Sequence, residues 1–131
     1  MAGDANALER ICFRLQVDPK RVDEYRAHHV AVWPGMLRAL DQSGWRNYSL
    51  FLDTDGTLIG YFETESHEAA LAAMARQEVN AQWQALMAEY FVGINGAADE
   101  EIVAIDEVFN LETQLAALGA PNSSTTGQQG I

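Results

Sequence analysis

The chain of 131 residues has the length of one domain, and its content of 48% hydrophobic and 21% charged residues is typical of a globular protein. Nineteen acidic residues against 8 basic ones give a formal charge of −11, which repels phosphate backbones, anionic lipid and strongly anionic substrates. We therefore expect a neutral small molecule as the partner, and neither a nucleic acid nor a membrane.

The single cysteine, Cys12, excludes an intramolecular disulfide and favours a reducing compartment. The first residues lack the basic start and continuous apolar run of a signal peptide, and no stretch has the length of a membrane span. The expected location is the cytoplasm.

The first predicted elements are a strand and a helix. Residues 1–7 are small and polar, and we expect them to form a flexible leader before a domain that covers residues 8–112. In "ICFRLQV" every second residue is apolar, which predicts a strand with one buried face. Asp18 followed by Pro19 predicts the start of a helix that runs to about Val30.

This helix is expected to break and resume. Trp33 precedes Pro34, and a residue before proline is disfavoured in helical geometry. A short second helix through Met36 and Leu40 is predicted to follow, and Gly44 is predicted to end it.

The runs "NYSLFLD" and "TLIGYFE" predict a hairpin, because Asp55-Gly56 between them supplies the backbone angles of a tight turn. The same stretch begins like a calcium-binding loop, but Thr64 stands where such a loop needs glutamate. The histidines and Cys12 have no spacing that converges on a metal ion. No metal site is therefore predicted.

A second helical region follows the hairpin. Ser66 is a suitable cap for a helix from about His67 to Ala75. Beyond it, apolar residues recur at helical spacing, which predicts an amphipathic helix. These residues are Val79, Trp83, Leu86, Met87 and Tyr90.

The run "VAIDEVFNL" predicts a last strand and completes the order βαββαβ with split helices. This order is typical of an α+β protein with a ferredoxin-like antiparallel sheet and helices on one face. The other face needs a cover, and a second copy of the chain is the simplest one, so a homodimer is expected. Residues 113–131 are expected to be a C-terminal tail, largely disordered from about residue 121.

Tyr25 and His29 lie four residues apart on the first predicted helix and share a face with Val22. A phenol and an imidazole on an inward face could bind a hydroxylated ligand and exchange a proton with it near neutral pH. The spacing is equally compatible with residues at the core edge whose polar tips reach water or the backbone. His28 should point away and be solvated.

Three more residues are candidates for ligand contacts. Trp83 could form a flat apolar platform for the C–H face of a sugar, or could simply be core. Gln84 could bind a hydroxyl, or could be an ordinary solvated residue. Tyr48 should share a sheet face with Leu50 and Leu52, where it could equally be core filler.

Residues 8–112 resemble the L-rhamnose mutarotase family, small enzymes of the dimeric α+β barrel type. The resemblance is carried, in the family order, by "EYRAHHVAVWPGML", "GWRNYSLFLD", "GYFETE", "AQWQALM" and "EVFNLE". It implies that His29 is the catalytic proton donor. It also implies that the sugar is bound by Tyr25, Tyr48, Trp83 and Gln84.

The resemblance implies interconversion of the α and β anomers of L-rhamnose, or a closely related 6-deoxy sugar, without a cofactor or metal. The chain departs from the family at Gln84, where a second consecutive tryptophan is common. Two other functions stay open, because fold alone does not define function. One is a cofactor-free monooxygenase or isomerase of the same fold class, and the other is a non-catalytic dimeric sugar-binding or sensor module.

Overall fold

A computed structural model describes residues 8–93 and 103–119. The predicted leader 1–7, residues 94–102 before the last strand, and the tail predicted to be disordered from residue 121 lie outside the described residues. The elements are β1 (Glu9–Gln16), α1 (Val22–His28), α2 (Pro34–Gln42), β2 (Arg46–Leu52), β3 (Thr57–Thr64), α3 (His67–Ala75), α4 (Glu78–Met87), β4 (Ala104–Ile105) and α5 (Leu111–Ala117).

The strands form one antiparallel sheet in the order β2-β3-β1-β4. This order, with two split helical crossovers, is the ferredoxin-like βαββαβ topology, so the predicted fold class is confirmed. The β1–β3 register places Phe13 opposite Gly60 and Leu15 opposite Leu58. Because side chains alternate between faces, these pairs lie on the face that packs against the helices.

The helical breaks fall where proline and caps predict them. A 3-10 turn at Pro19–Arg21 follows Asp18, whose Oδ1 accepts the Lys20 N–H at 3.0 Å. Helix α1 then ends at His28 rather than at Val30, and α2 begins at Pro34. Ser66 caps α3 by accepting the Ala69 N–H at 3.1 Å.

A β-bulge near the start of β2 determines which side chains face the helices. Between Arg46 and Ser49 the pairing with β3 shifts, and Asn47 adopts a φ of 52°, a conformation that asparagine tolerates better than most residues. The extra residue leaves Arg46 exposed and Trp45 buried. Tyr48, after the bulge, points to the helix-covered face.

The core lies between this sheet face and the helices. Its fully buried side chains include Phe13, Leu58 and Phe62 from the sheet and Met74 and Met87 from the helices. Val22 and Tyr25 are buried too, so the face of α1 predicted to point at the sheet does so. The hydrophobic periodicity of α1 and α4 therefore predicted the apolar core-facing residues correctly, but not the buried Asn80 of α4.

The C-terminal part differs from the prediction. The last strand is only Ala104–Ile105, paired with Cys12 and Phe13, so the prediction of a strand through "VAIDEVFNL" was wrong in extent. Asn110 then caps α5 by accepting the Thr113 N–H at 2.9 Å. This helix was not predicted, and the expected tail boundary at residue 112 falls inside it.

Candidate active site

A cavity of about 310 Å³ lies between the inner sheet face and helices α1, α2 and α4. Its volume is at the lower end of the range for small-molecule sites. Most of its wall is aromatic or aliphatic, with a few polar groups among them. All five predicted site residues line it: Tyr25, His29, Tyr48, Trp83 and Gln84.

His29 directly follows α1, one helical turn after Tyr25. Its Nδ1 lies 2.9 Å from the backbone oxygen of Tyr25. Because a carbonyl oxygen only accepts, Nδ1 must carry a hydrogen, and in the neutral ring Nε2 is then the unprotonated nitrogen. The bond to the backbone thus selects the tautomer and leaves Nε2 as the titratable atom.

Aromatic rings enclose His29 on two sides. The Tyr25 ring stacks on the imidazole with centroids 4.3 Å apart, and the Trp83 ring meets it edge to face at 5.4 Å. This burial lowers the pKa of His29 below its ordinary value of 6.5, and the hydrogen bond to Tyr25 only partly opposes it. His29 is therefore mainly neutral at pH 7.

Tyr25 is buried, and this burial raises the pKa of its phenol well above the ordinary 10.0. The phenol therefore stays protonated at physiological pH. It can take part in hydrogen bonds but is not a base for proton transfer under these conditions.

Trp83 and Tyr48 form two aromatic parts of the wall. Trp83 is buried on α4, and its ring is perpendicular to that of Trp33 with centroids 4.9 Å apart. Tyr48 is half-buried and tilts against Trp45 at 5.0 Å. Both rings therefore belong to the core and to the cavity wall at once.

Gln84 is tied to Asn80, which sequence reasoning missed. The Gln84 side chain donates from Nε2 to Asn80 Oδ1 at 3.2 Å. Asn80 is itself buried and donates from Nδ2 to the backbone oxygen of Met74 at 3.2 Å. The spacing of four residues between two amide side chains on one helix is the signal that could have pointed to this pair.

His28 does not share the cavity with His29. Its Nε2 lies 3.1 Å from the Tyr90 hydroxyl, and its ring is half-buried. The prediction that His28 is solvated was therefore wrong, because Tyr90 packs beside it from the 3-10 turn Ala88–Tyr90 that follows α4. The two adjacent histidines diverge, as helical geometry predicted.

A large aromatic beside the cavity was also missed. Trp45 stacks on Phe62 with centroids 3.9 Å apart and donates from Nε1 to the backbone oxygen of Ala70 at 3.2 Å. It lines the cavity next to Tyr48. Its inward position depends on the β-bulge, which no local sequence pattern indicated.

Other kinds of site find no support in the part of the chain that the structure describes. Within residues 8–93 and 103–119, no three histidine, cysteine, aspartate or glutamate side chains are placed to hold a metal ion together. None of the helices described is long and apolar enough to cross a membrane.

The fold and the cavity define a small α+β protein with a partly polar, aromatic pocket. A sequence profile of the family described as L-rhamnose mutarotase matches residues 10–111. The chain belongs to this family, so the predicted resemblance is confirmed. Mutarotases interconvert sugar anomers, which makes this a family of isomerases.

Individual proteins agree with this assignment. An L-rhamnose mutarotase of Sinorhizobium fredii is 35% identical over 75% of this chain and 91% of its own length. One of Acidiphilium cryptum is 33% identical over 79% of this chain and 99% of its own length. The crystal structure of an L-rhamnose mutarotase from Formosa agariphila superposes with a TM-score of 0.63 at 24% identity, covering 79% of this chain and 98% of that one. This last likeness supports the fold.

Proposed function

We propose that the cavity binds L-rhamnose, or a closely related 6-deoxy sugar, and that His29 catalyses the interconversion of its α and β anomers. The observation that carries the proposal is the position of the His29 ring. It lies at the cavity wall with Nδ1 committed to the Tyr25 carbonyl, so that Nε2 is the nitrogen left for a ligand. Membership of the L-rhamnose mutarotase family supports the choice of sugar.

The reaction breaks the bond between the anomeric carbon and the ring oxygen. Neutral Nε2 first accepts the proton of the anomeric hydroxyl. The anomeric C=O bond then forms as the ring C–O bond breaks, and the imidazolium donates the same proton to the ring oxygen. Both oxygens are bonded to the anomeric carbon, so one nitrogen can serve them in turn.

Ring closure reverses these steps after rotation about the neighbouring C–C bond, which presents the other face of the aldehyde. His29 is thus the proton donor to the ring oxygen, and its neutral form is also the base that begins the reaction. Atoms and charge balance with this one residue, so the proposed cycle uses no cofactor or metal. General acid–base catalysis of this kind contributes about 10² to 10⁴ in rate.

The other wall residues have binding roles in this proposal. Trp83 offers an apolar ring against which the C–H face of the sugar can pack, while Tyr25, Tyr48 and Gln84 provide hydroxyl and amide groups for the sugar hydroxyls. The acidic protein needs no charge complementarity, because the substrate is neutral.

These features favour a mutarotase over the two alternatives. A monooxygenase for aromatic substrates has no need for several hydroxyl and amide groups around an apolar ring. A non-catalytic sugar-binding module has no need for an imidazole held in one tautomer with its second nitrogen uncommitted. Membership of an isomerase family also supports catalysis.

Polarimetry tests the proposal. Freshly dissolved crystalline α-L-rhamnose relaxes slowly to its anomeric equilibrium, and we expect catalytic amounts of the protein to speed this relaxation without changing the final rotation. Relaxation at the buffer rate would contradict the proposal. L-mannose, which differs from L-rhamnose only by a hydroxymethyl group in place of the methyl group, is the matched control and should relax more slowly.

The pH dependence follows from the pKa of His29, which burial holds below 6.5. Because the neutral imidazole begins the reaction, kcat/KM should be level near pH 8 and should decline with a midpoint below pH 6.5, as His29 becomes protonated. The rate measured with a His29→Asn variant at each pH is subtracted, so that only the contribution of His29 is compared. A corrected rate that rises as the pH falls would contradict the proposed order of proton transfers.

We also propose that the protein acts as a homodimer formed through the outer face of the sheet. Phe51, Ile59, Tyr61 and Cys12 lie there on neighbouring strands, with Ile105 beyond them on β4. Phe51 is 62% exposed and Ile105 is 48% exposed, so these apolar side chains are largely open to solvent. A second copy of the sheet would bury these side chains.

The dimer has a direct test. We expect the wild type to elute and scatter light as a particle of twice the 14.4 kDa chain mass. Phe51→Asp should convert it to a monomer, because a carboxylate would be buried in an apolar interface without a partner. Val30→Asp replaces an even more exposed apolar residue, outside the sheet, and should leave the dimer intact. A monomeric wild type would refute the proposed interface.

The cytoplasm is the location we propose. Cys12 is a free, half-buried thiol, which is the usual state of cysteine in a reducing compartment. Free monosaccharide substrates are also compatible with this location.

A further inference from the structure

The amide groups of Asn80 and Gln84 have a fixed orientation. The fixed point is the backbone oxygen of Met74, at the end of α3, which can only accept hydrogen bonds. It lies 3.2 Å from the Asn80 side chain, so the NH₂ group of Asn80 must face it. The oxygen Oδ1 of Asn80 then faces the other way.

The orientation of the Gln84 amide, one turn further along α4, follows in the same way. Gln84 lies 3.2 Å from Asn80 Oδ1, so Gln84 must present its NH₂ group to that oxygen. Exchanging oxygen and nitrogen in either amide would set acceptor against acceptor. The backbone carbonyl of Met74 therefore determines that the Gln84 carbonyl oxygen, Oε1, is the atom of this amide left over.

Oε1 is buried and has no hydrogen-bond partner among the residues that the structure describes. A buried acceptor without a donor is costly, and such groups are rare in folded proteins. Gln84 is one of the residues that line the cavity, so a ligand bound there lies beside this amide and can bring a donor to it. A sugar hydroxyl is a donor of the right kind.

We propose that Gln84 Oε1 accepts a hydrogen bond from one hydroxyl of the sugar, and that Asn80 is the positioning residue that keeps the amide in this orientation. The inference rests on the proposed function, which it deepens by naming a specificity determinant. Where the family often has a second tryptophan that can stack on the sugar, this chain has the Gln84 amide, which recognises a sugar hydroxyl. A sugar that lacks that hydroxyl leaves Oε1 unpaired and is discriminated against.

The test is a double-mutant cycle on the dissociation constant of L-rhamnose, measured by titration calorimetry with full-length protein. Gln84→Met keeps the length of the side chain and removes the amide, and should weaken binding about fivefold to tenfold. Asn80→Ala should weaken it about threefold or more, because the amide is then free to rotate. The double variant should bind no more weakly than Gln84→Met alone.

The cycle separates positioning from a general structural effect. If Asn80→Ala costs the same factor in the Gln84→Met background as in the wild type, Asn80 does not act through Gln84 and the inference is refuted. Circular dichroism and thermal unfolding monitor the fold of each variant. If Asn80→Ala does not fold, the dissociation constants of wild type and Gln84→Met for L-rhamnose still test the acceptor role of Gln84. Equal affinities would refute it.

Analogues of L-rhamnose that each lack a single hydroxyl identify the contact. For one of them, the wild type and Gln84→Met should bind equally, while the difference persists for the others. A difference that persists for every analogue would refute the contact. A wild type that shows this pattern without speeding anomer exchange would refute the proposed function alone, and one that binds no L-rhamnose would refute both.

Discussion

His29→Asn should lower the rate of L-rhamnose mutarotation by about a hundredfold or more while the protein stays folded and binds the sugar. Asparagine can still donate a hydrogen bond to the backbone near Tyr25, but it has no group that takes up and returns a proton near neutral pH. The expected loss is the typical contribution of general acid–base catalysis. Polarimetry gives the rate, and calorimetry gives the affinity for the sugar.

The adjacent His28 provides the matched control. His28 contacts Tyr90 and is not part of the cavity wall. His28→Asn should therefore keep kcat within about a factor of three of the wild type, since its expected cost is limited to a partly exposed hydrogen bond. If the two variants lost activity equally, or if His29→Asn kept full activity, His29 could not be the proton donor.

Gly60→Ala is expected to cost about 2–3 kcal/mol of unfolding free energy, as overpacking substitutions do. Gly60 lies in β3 directly opposite Phe13, and a Cβ there would stand 2.1 Å from the Phe13 ring. Phe13 is only 1% exposed and is held by the rings of Phe62 and Tyr48. The phenylalanine covers the glycine and cannot move away.

Gly35→Ala is the matched control for this substitution. A Cβ at Gly35 would make an ordinary contact of 3.7 Å with Val79, and Gly35 lies in helix α2. Alanine is favoured over glycine in a helix, so this variant should be neutral or up to about 1 kcal/mol more stable. Urea unfolding at one protein concentration compares both with the wild type. Equal stability of Gly60→Ala and the wild type would mean that the Phe13 ring does not cover Gly60.

The framework that holds the site could be predicted because local signals determine it. Ser66 caps α3 as its position before a helical run indicated, and Gly56 has the positive φ that the Asp-Gly turn requires. Proximity of Tyr25 and His29 follows from helical spacing alone. The family resemblance predicted a set of five residues, and the fold brings all five to one cavity; their roles in binding and catalysis remain predictions.

The features of the site that the sequence did not predict depend on contacts between separate elements of the fold. The inward turn of Trp45 follows from the pairing of β2 with β3, which a strand's own alternation does not reveal. His28 meets Tyr90, which is 62 residues away in the sequence. In the sequence Asn80 looks like an ordinary helical residue. In the fold it donates a hydrogen bond to the Met74 carbonyl, at the junction of α3 and α4. His28 and Trp45 thus depend on partners in other parts of the sequence, whereas Asn80 and Met74 are close in sequence and meet only because the chain turns between α3 and α4.

The most direct test of the central claim is saturation-transfer NMR on the anomeric protons of L-rhamnose at equilibrium. Saturating the α-anomer signal should reduce the β-anomer signal in proportion to the concentration of added wild-type protein, because each catalysed ring opening carries saturation from one anomer to the other. We expect this transfer at micromolar protein and expect it to disappear with His29→Asn. An exchange rate equal to that in buffer, in the presence of folded wild-type protein, would show that the protein is not a mutarotase of L-rhamnose.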